Sequence, residues 1–193
     1  MTRIQQSKLF ITVVVVASVV FVGVSFYYLG LVKSLLGILL IQAFIIFNNR
    51  KQKKNMQTFM VARKLYDKGR YEEAITMFLK YLKEVKEEPD KEKTTLLNFG
   101  MYTQSSVAMS YNNIGASCIE MGYFQKAVES LERAIEVDSD YAIPYYNLAI
   151  IAMIRGEDEL VNRYMSKLDA LGYAATIDQI TQKIELLPEE VIE

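Results

Sequence analysis

The thirty residues YNNIGASCIEMGYFQKAVESLERAIEVDSD, numbered 111–140, decide the fold. Ile114 and Cys118, then Phe124, Ala127, Leu131 and Ala134, recur at the three- and four-residue intervals that align side chains on one face of a helix. Gly122 falls between the two patterns, where a chain can reverse direction. Gly115 and Ala127 are small where paired helices must approach closely, and Leu131 fills the gap beside them. Slid by 34 positions, the stretch matches the next segment of the chain. Tyr111-Asn112-Asn113-Ile114-Gly115 falls on Tyr145-Tyr146-Asn147-Leu148-Ala149, Gly122 on Gly156, Ala127 on Val161, Leu131 on Met165 and Ala134 on Leu168. An earlier unit has the same skeleton in Val61-Ala62, Leu65, Gly69, Tyr71, Ala74, Phe78 and Tyr81. A period of this length predicts a stack of helix pairs, each burying its apolar face on its neighbours.

The pattern resembles the tetratricopeptide repeat (TPR). That family's 34-residue unit has W-x2-L-G-x2-Y in the first helix, a small residue and an aromatic in the second, and a closing Pro. Ile114-Gly115, Cys118, Ala127, Leu131 and Ala134 carry the match, with Ser139 where the closing Pro stands. The first unit departs at Thr58, which holds the large aromatic's place, and the third at Asp158 and Val161. The resemblance implies an all-α fold: a helical-hairpin solenoid of about three repeats (55–88, 108–141 and 142–173) within a domain spanning 55–193.

Two stretches of that domain are irregular. Residues 89–107 are an insert that opens with the charged Glu87-Glu88-Pro89-Asp90-Lys91-Glu92-Lys93. Leu96, Thr103, Val107, Tyr111, Ile114 and Cys118 continue at helical spacing, so the first helix of the second unit is expected to extend backwards, with a kink at Gly100. After the third unit, Ile177, Ile180, Ile184 and Leu187 form one apolar stripe opposite Asp178, Gln179, Gln182 and Lys183. This predicts a C-terminal capping helix over 175–187, ended by Pro188 and followed by a frayed tail.

The other end of the chain is of a different kind. Residues 9–47 carry a single charge, Lys33. One helix of that length would reach about 58 Å, roughly twice a bilayer's ~30 Å hydrocarbon core. A two-helix transmembrane hairpin over 9–47 is the natural division, turning near Tyr27, Tyr28, Gly30 and Lys33. Arg3 and Lys8 lie in the short basic N-terminus (1–8), and Arg50, Lys51, Lys53 and Lys54 in a basic juxtamembrane linker (48–54). Basic flanks at both ends predict an integral membrane protein with both termini and the repeat domain cytoplasmic. Two alternatives stay open: a cleaved signal peptide with Gly23-Val24-Ser25 as its site, and one span followed by an interfacial helix.

Charge follows the same division. All 23 acidic residues lie at Asp67 or later. Residues 55–193 therefore carry 15 basic against 23 acidic side chains, or −8, and the preceding part carries +7. An acidic domain disfavours nucleic acid, and Lys51-Gln52-Lys53-Lys54 reads instead as contact with anionic headgroups at a membrane border. The chain has no His and one Cys, which excludes His-based acid–base catalysis, His-containing zinc sites and an intramolecular disulfide. No phosphate-cradling loop or nucleophile elbow is present. Cys118 reads as a small buried hydrophobe, and Glu157-Asp158-Glu159 as acids at a helix start rather than a metal site. No enzyme, catalytic residue, metal or cofactor is expected.

What remains is binding. In the TPR family the first helix of each repeat lines a concave groove that takes peptides or partner helices. By resemblance the groove residues are Met56, Phe59, Met60, Arg63 and Tyr66, then Met109, Asn112, Asn113, Ala116 and Glu120, then Tyr146, Asn147, Ile150 and Met153. The positions that would form a carboxylate clamp hold Phe59, Met109, Ile143 and Asn147, so chaperone C-termini are disfavoured. Met, Tyr, Phe and Ile suit an apolar or amphipathic helical segment of a protein partner. Two functions compete: a membrane-anchored adaptor or scaffold, and a structural subunit of a membrane complex (transport, secretion or envelope assembly) held by the hairpin. Self-association, with the groove packed against the insert or a second copy, stays open.

Overall fold

The computed structural model describes residues 3–92, 103 and 105–188, and every regular element among them is helical. The first, α1 (Arg3–Asn55), is broken at Gly30, where φ is 73° and ψ is 165°. That backbone geometry is open to glycine and costly for any residue with a Cβ. Two helical arms, 3–29 and 31–55, meet there. Their apolar residues are not confined to one stripe: Val13, Val15, Val19 and Phe21 on the first arm, and Leu35, Leu36, Leu40 and Ile41 on the second, are all exposed. Ser18 returns its hydroxyl to the Val14 carbonyl at 2.7 Å, keeping that polar group within the helix. No helix among the described residues is long and apolar enough to cross a membrane, their side chains between 9 and 47 being described in runs of at most ten.

From residue 57 the chain forms three helix pairs. They are α2 (Gln57–Tyr66) with α3 (Tyr71–Glu87), α4 (Ser106–Glu120) with α5 (Phe124–Val137), and α6 (Ala142–Ile154) with α7 (Asp158–Ala170). One turn design closes each pair. Gly122 has φ of 74°, its N–H donates to the Ile119 carbonyl, and the Tyr123 N–H reaches back to the Cys118 carbonyl at 2.9 Å. This double closure satisfies carbonyls that the helix end leaves unpaired. Gly69 and Gly156 repeat it.

Small residues set the spacing inside each pair. Ala62 and Ala74 are fully buried between α2 and α3, and Ala127 between α4 and α5. A Cβ at Gly115 would lie 2.6 Å from Leu131 Cγ, so only glycine admits Leu131 at this crossing. Larger groups fill the remaining space: Phe59 meets both Phe78 and Tyr81 edge-on with ring centroids 5.5 Å apart. Cys118 is buried in the same core, and burial pushes its thiol pKa up. Between pairs, the second helix of one rests on the first helix of the next, α3 on α4 and α5 on α6. The Tyr81 hydroxyl and Ser106 Oγ hydrogen-bond at 2.8 Å across the first of these junctions.

The insert differs from the expectation of a helix lengthened backwards to Leu96. α4 begins at Ser106, only two residues before the expected start of the repeat. Ser105 is extended and caps the helix, accepting the Ala108 N–H, and the Thr103 hydroxyl turns to the Asp138 carboxylate. An N-cap residue cannot also be a helix interior, so the spacing from Thr103 to Val107 does not mark one helix. Before it, Pro89–Lys91 forms a short 3-10 turn. Leu96 and Gly100 lie outside the described residues, as does the expected tail 189–193.

The last helix, α8 (Ile177–Glu185), opens on a reciprocal cap between Thr176 and Gln179. It buries Ile180 completely, with Leu187 just beyond it. It rests on α6 and scarcely touches α7, so it does not sit squarely over the end of the stack.

Candidate partner-binding face

The first helices α2, α4 and α6 neighbour one another, and side chains link them in sequence. Arg63 of α2 donates from its guanidinium to Asn113 Oδ1 of α4 at 3.3 Å. Asn147 of α6 donates to Asn112 Oδ1 of α4 at 3.0 Å. Asn113 also donates to the Met109 carbonyl at 2.7 Å. Buried polar groups are tolerated when paired, and all those described here are.

The groove residues divide by exposure. Met56, Phe59, Asn112, Asn113 and Ile150 are buried, Phe59 within the α2–α3 core and the asparagines in the network between helices. Tyr66, Met109, Ala116, Glu120, Tyr146, Asn147 and Met153 are half-buried, while Met60 and Arg63 are exposed. Expected to face outward together, these residues instead split: Phe59 and Ile150 serve packing, and Met60 and Arg63 keep the most open surface.

Glu120, in the last turn of α4, is the electrostatic centre of this face. Its side chain keeps 11% exposure and meets Lys183 Nζ of α8 at 2.6 Å. Tyr66 and Tyr71 lie within the field of the same carboxylate, whose charge adds to burial in raising the pKa of both hydroxyls. Burial, reinforced by the Glu120 charge, pushes the Tyr66 pKa up to about 12. An acid in the last turn of a helix opposes the negative end of the helix dipole, so a compensating cation is called for. That misplacement was the one sign in the sequence of the Lys183 contact; the two tyrosines left none.

α8 covers the α6 part of the face. Tyr146 donates its hydroxyl to the Gln179 carbonyl at 3.3 Å, and Thr181, whose hydroxyl reaches the Ile177 carbonyl of its own helix at 3.1 Å, also lies 3.8 Å from Met153 Sδ. On the opposite side, α5, α6 and α7 enclose an open depression of about 660 Å³ lined by Glu132, Tyr145, Arg163, Tyr164 and Lys167, among others. Among the described residues, no group of three or more His, Cys, Asp or Glu could hold a metal ion.

A family model described as a TPR repeat matches residues 111–152, which take in the last ten residues of α4, all of α5 and most of α6. Residues 111–152 therefore match a TPR repeat, every regular element among the described residues is helical, and repeats of this kind generally mediate protein–protein interaction. No curated protein matches the chain.

Proposed function

We propose that this protein is a membrane-anchored TPR adaptor that holds a protein partner, a peptide or helix, on the face formed by α2, α4 and α6. The observation that carries the reading is the pairing of a TPR repeat with exposed apolar side chains on both arms of α1. So much apolar surface calls for a cover, and a bilayer supplies it for both arms at once. The break at Gly30 suits a hairpin turn, and the basic residues at both ends of α1 favour cytoplasmic termini and a cytoplasmic repeat domain.

The test is crosslinking capture from the native membrane with the full-length chain. Met60→Glu with Arg63→Glu, on the proposed face, is expected to lose the stoichiometric partner that Lys126→Glu with Arg133→Glu retains. The reverse pattern would reject the face.

A second reading is favoured by one observation: Phe59, Asn112, Asn113 and Ile150 are already engaged inside the molecule. In that reading the chain is a structural subunit of a membrane complex, joined through α1. A fixed-stoichiometry complex that survives both pairs of charge substitutions but falls apart when residues 9–47 are altered would select it.

A further inference from the structure

We infer that α8 is a detachable ligand of its own chain, seated on the binding face of the repeats. This inference rests on the adaptor reading for its purpose, though not for its geometry.

The two preceding junctions of the stack show how a helix joins it. α4 rests chiefly on α3, and α6 rests on α5 more than on α4. Each newcomer therefore lies mainly against the second helix of the pair before it. α8 departs from this rule, resting on α6, the first helix of its preceding pair, with little contact to α7. It occupies the side of the stack on which a partner would lie.

The contacts are those of a docked amphipathic helix. Ile180 is the apolar anchor, fully buried, with Ile184 one turn further packed against the core. Lys183 reaches past α6 to Glu120 of α4 at 2.6 Å. Leu187, just past the helix, is buried in the same core, and the remaining contacts are polar and local: the Tyr146 hydroxyl on the Gln179 carbonyl and the Thr181 side chain beside Met153 Sδ. The connection from α7 is a short link after Gly172, whose φ is 74°, and α8 carries its own N-terminal cap. Nine residues capped at one end, held by few apolar anchors and one ion pair, form the kind of segment that opens locally while the rest stays folded. A partner that takes its place must offer the same chemistry: apolar side chains spaced as Ile180, Ile184 and Leu187 are, with a cation among them to meet Glu120.

Hydrogen exchange and peptide binding on the full-length chain test this. Lys183→Glu, which sets two carboxylates against each other, is expected to speed exchange of the α8 amides roughly tenfold or more while α4 to α7 keep their protection. Full-length Ile180→Asp is expected to bind a labelled synthetic peptide of residues 174–188, which the unaltered chain binds at least tenfold more weakly. The same peptide carrying Ile180→Asp should not bind. Exchange that accelerates equally in α6 and α7 would make α8 a fixed part of the fold and overturn the inference. So would an Ile180→Asp chain that ignores the wild-type peptide. Both readouts use this chain alone: a chain that takes up the peptide but captures no partner would sink the adaptor reading and leave this one standing.

Discussion

The side-chain amide of Asn147 donates to the side-chain carbonyl of Asn112 at 3.0 Å, joining the first helices of two successive helix pairs. The two residues are 35 apart in the chain, one more than the repeat period, so the bond is a product of stacking rather than of repetition. Asn112 is 5% exposed, which makes its carbonyl dependent on this partner.

Asn147→Ala should therefore destabilise the full-length protein by about 1–3 kcal/mol, the usual cost of stranding a buried polar group. The double variant with Asn112→Ala should cost less than the sum of the two singles, with a coupling of about 0.5–1.5 kcal/mol. Denaturant melts in detergent measure it. Strictly additive costs would mean the bond contributes nothing.

At the α4–α5 crossing, Gly115→Ala should cost about 1–3 kcal/mol, because its Cβ would meet Leu131 and the Ala127 carbonyl oxygen. Ala127→Leu should cost a similar amount. In a Leu131→Ala background the Gly115→Ala penalty should shrink, since the obstructing side chain is gone. Equal penalties in both backgrounds would show that Leu131 is not the obstacle.

Topology can be read by cysteine labelling in a Cys118→Ser background. With an impermeant reagent on intact cells, Tyr27→Cys, just before the Gly30 break, should label and Asn55→Cys should not. Labelling at residue 55 alone would turn the proposed orientation over.

Alkaline pH should weaken the fold in a window set by Tyr66. Below about pH 10 the hydroxyl is protonated in both states; between about 10 and 12 the unfolded chain loses the proton while the folded chain keeps it. Unfolding then releases a proton, so stability falls as pH rises through this window. Tyr66→Phe should flatten that decline without abolishing it, because burial also raises the pKa of Tyr81 and Tyr141. Denaturation midpoints across the window decide it, and an unchanged slope would discount the Tyr66 contribution.

The helix pairs were legible because their causes are local. Apolar residues at three- and four-residue spacing, and glycines at 69, 122 and 156 in left-handed turns, act within a few residues of themselves. The start of α4 was not legible: Thr103 and Val107 keep helical spacing, but a hydrogen bond to Asp138, 35 residues on, draws Thr103 elsewhere. Asn112 and Asn113 read as outward amides because sequence shows polarity and not the distant groups that satisfy it. The seat of α8 lay beyond reach for the same reason. Its stripe predicted a helix with one buried face, and only the assembled stack decides which neighbour receives it.

Cys118, sealed in the core with its pKa raised, gives the chain a chemical indifference of its own. Thiolate is the form that electrophiles and peroxides attack, and burial suppresses it at its only source here. The repeat domain thus carries no accessible thiol among its described residues: thiol–disulfide buffers of either poise would meet the same fold.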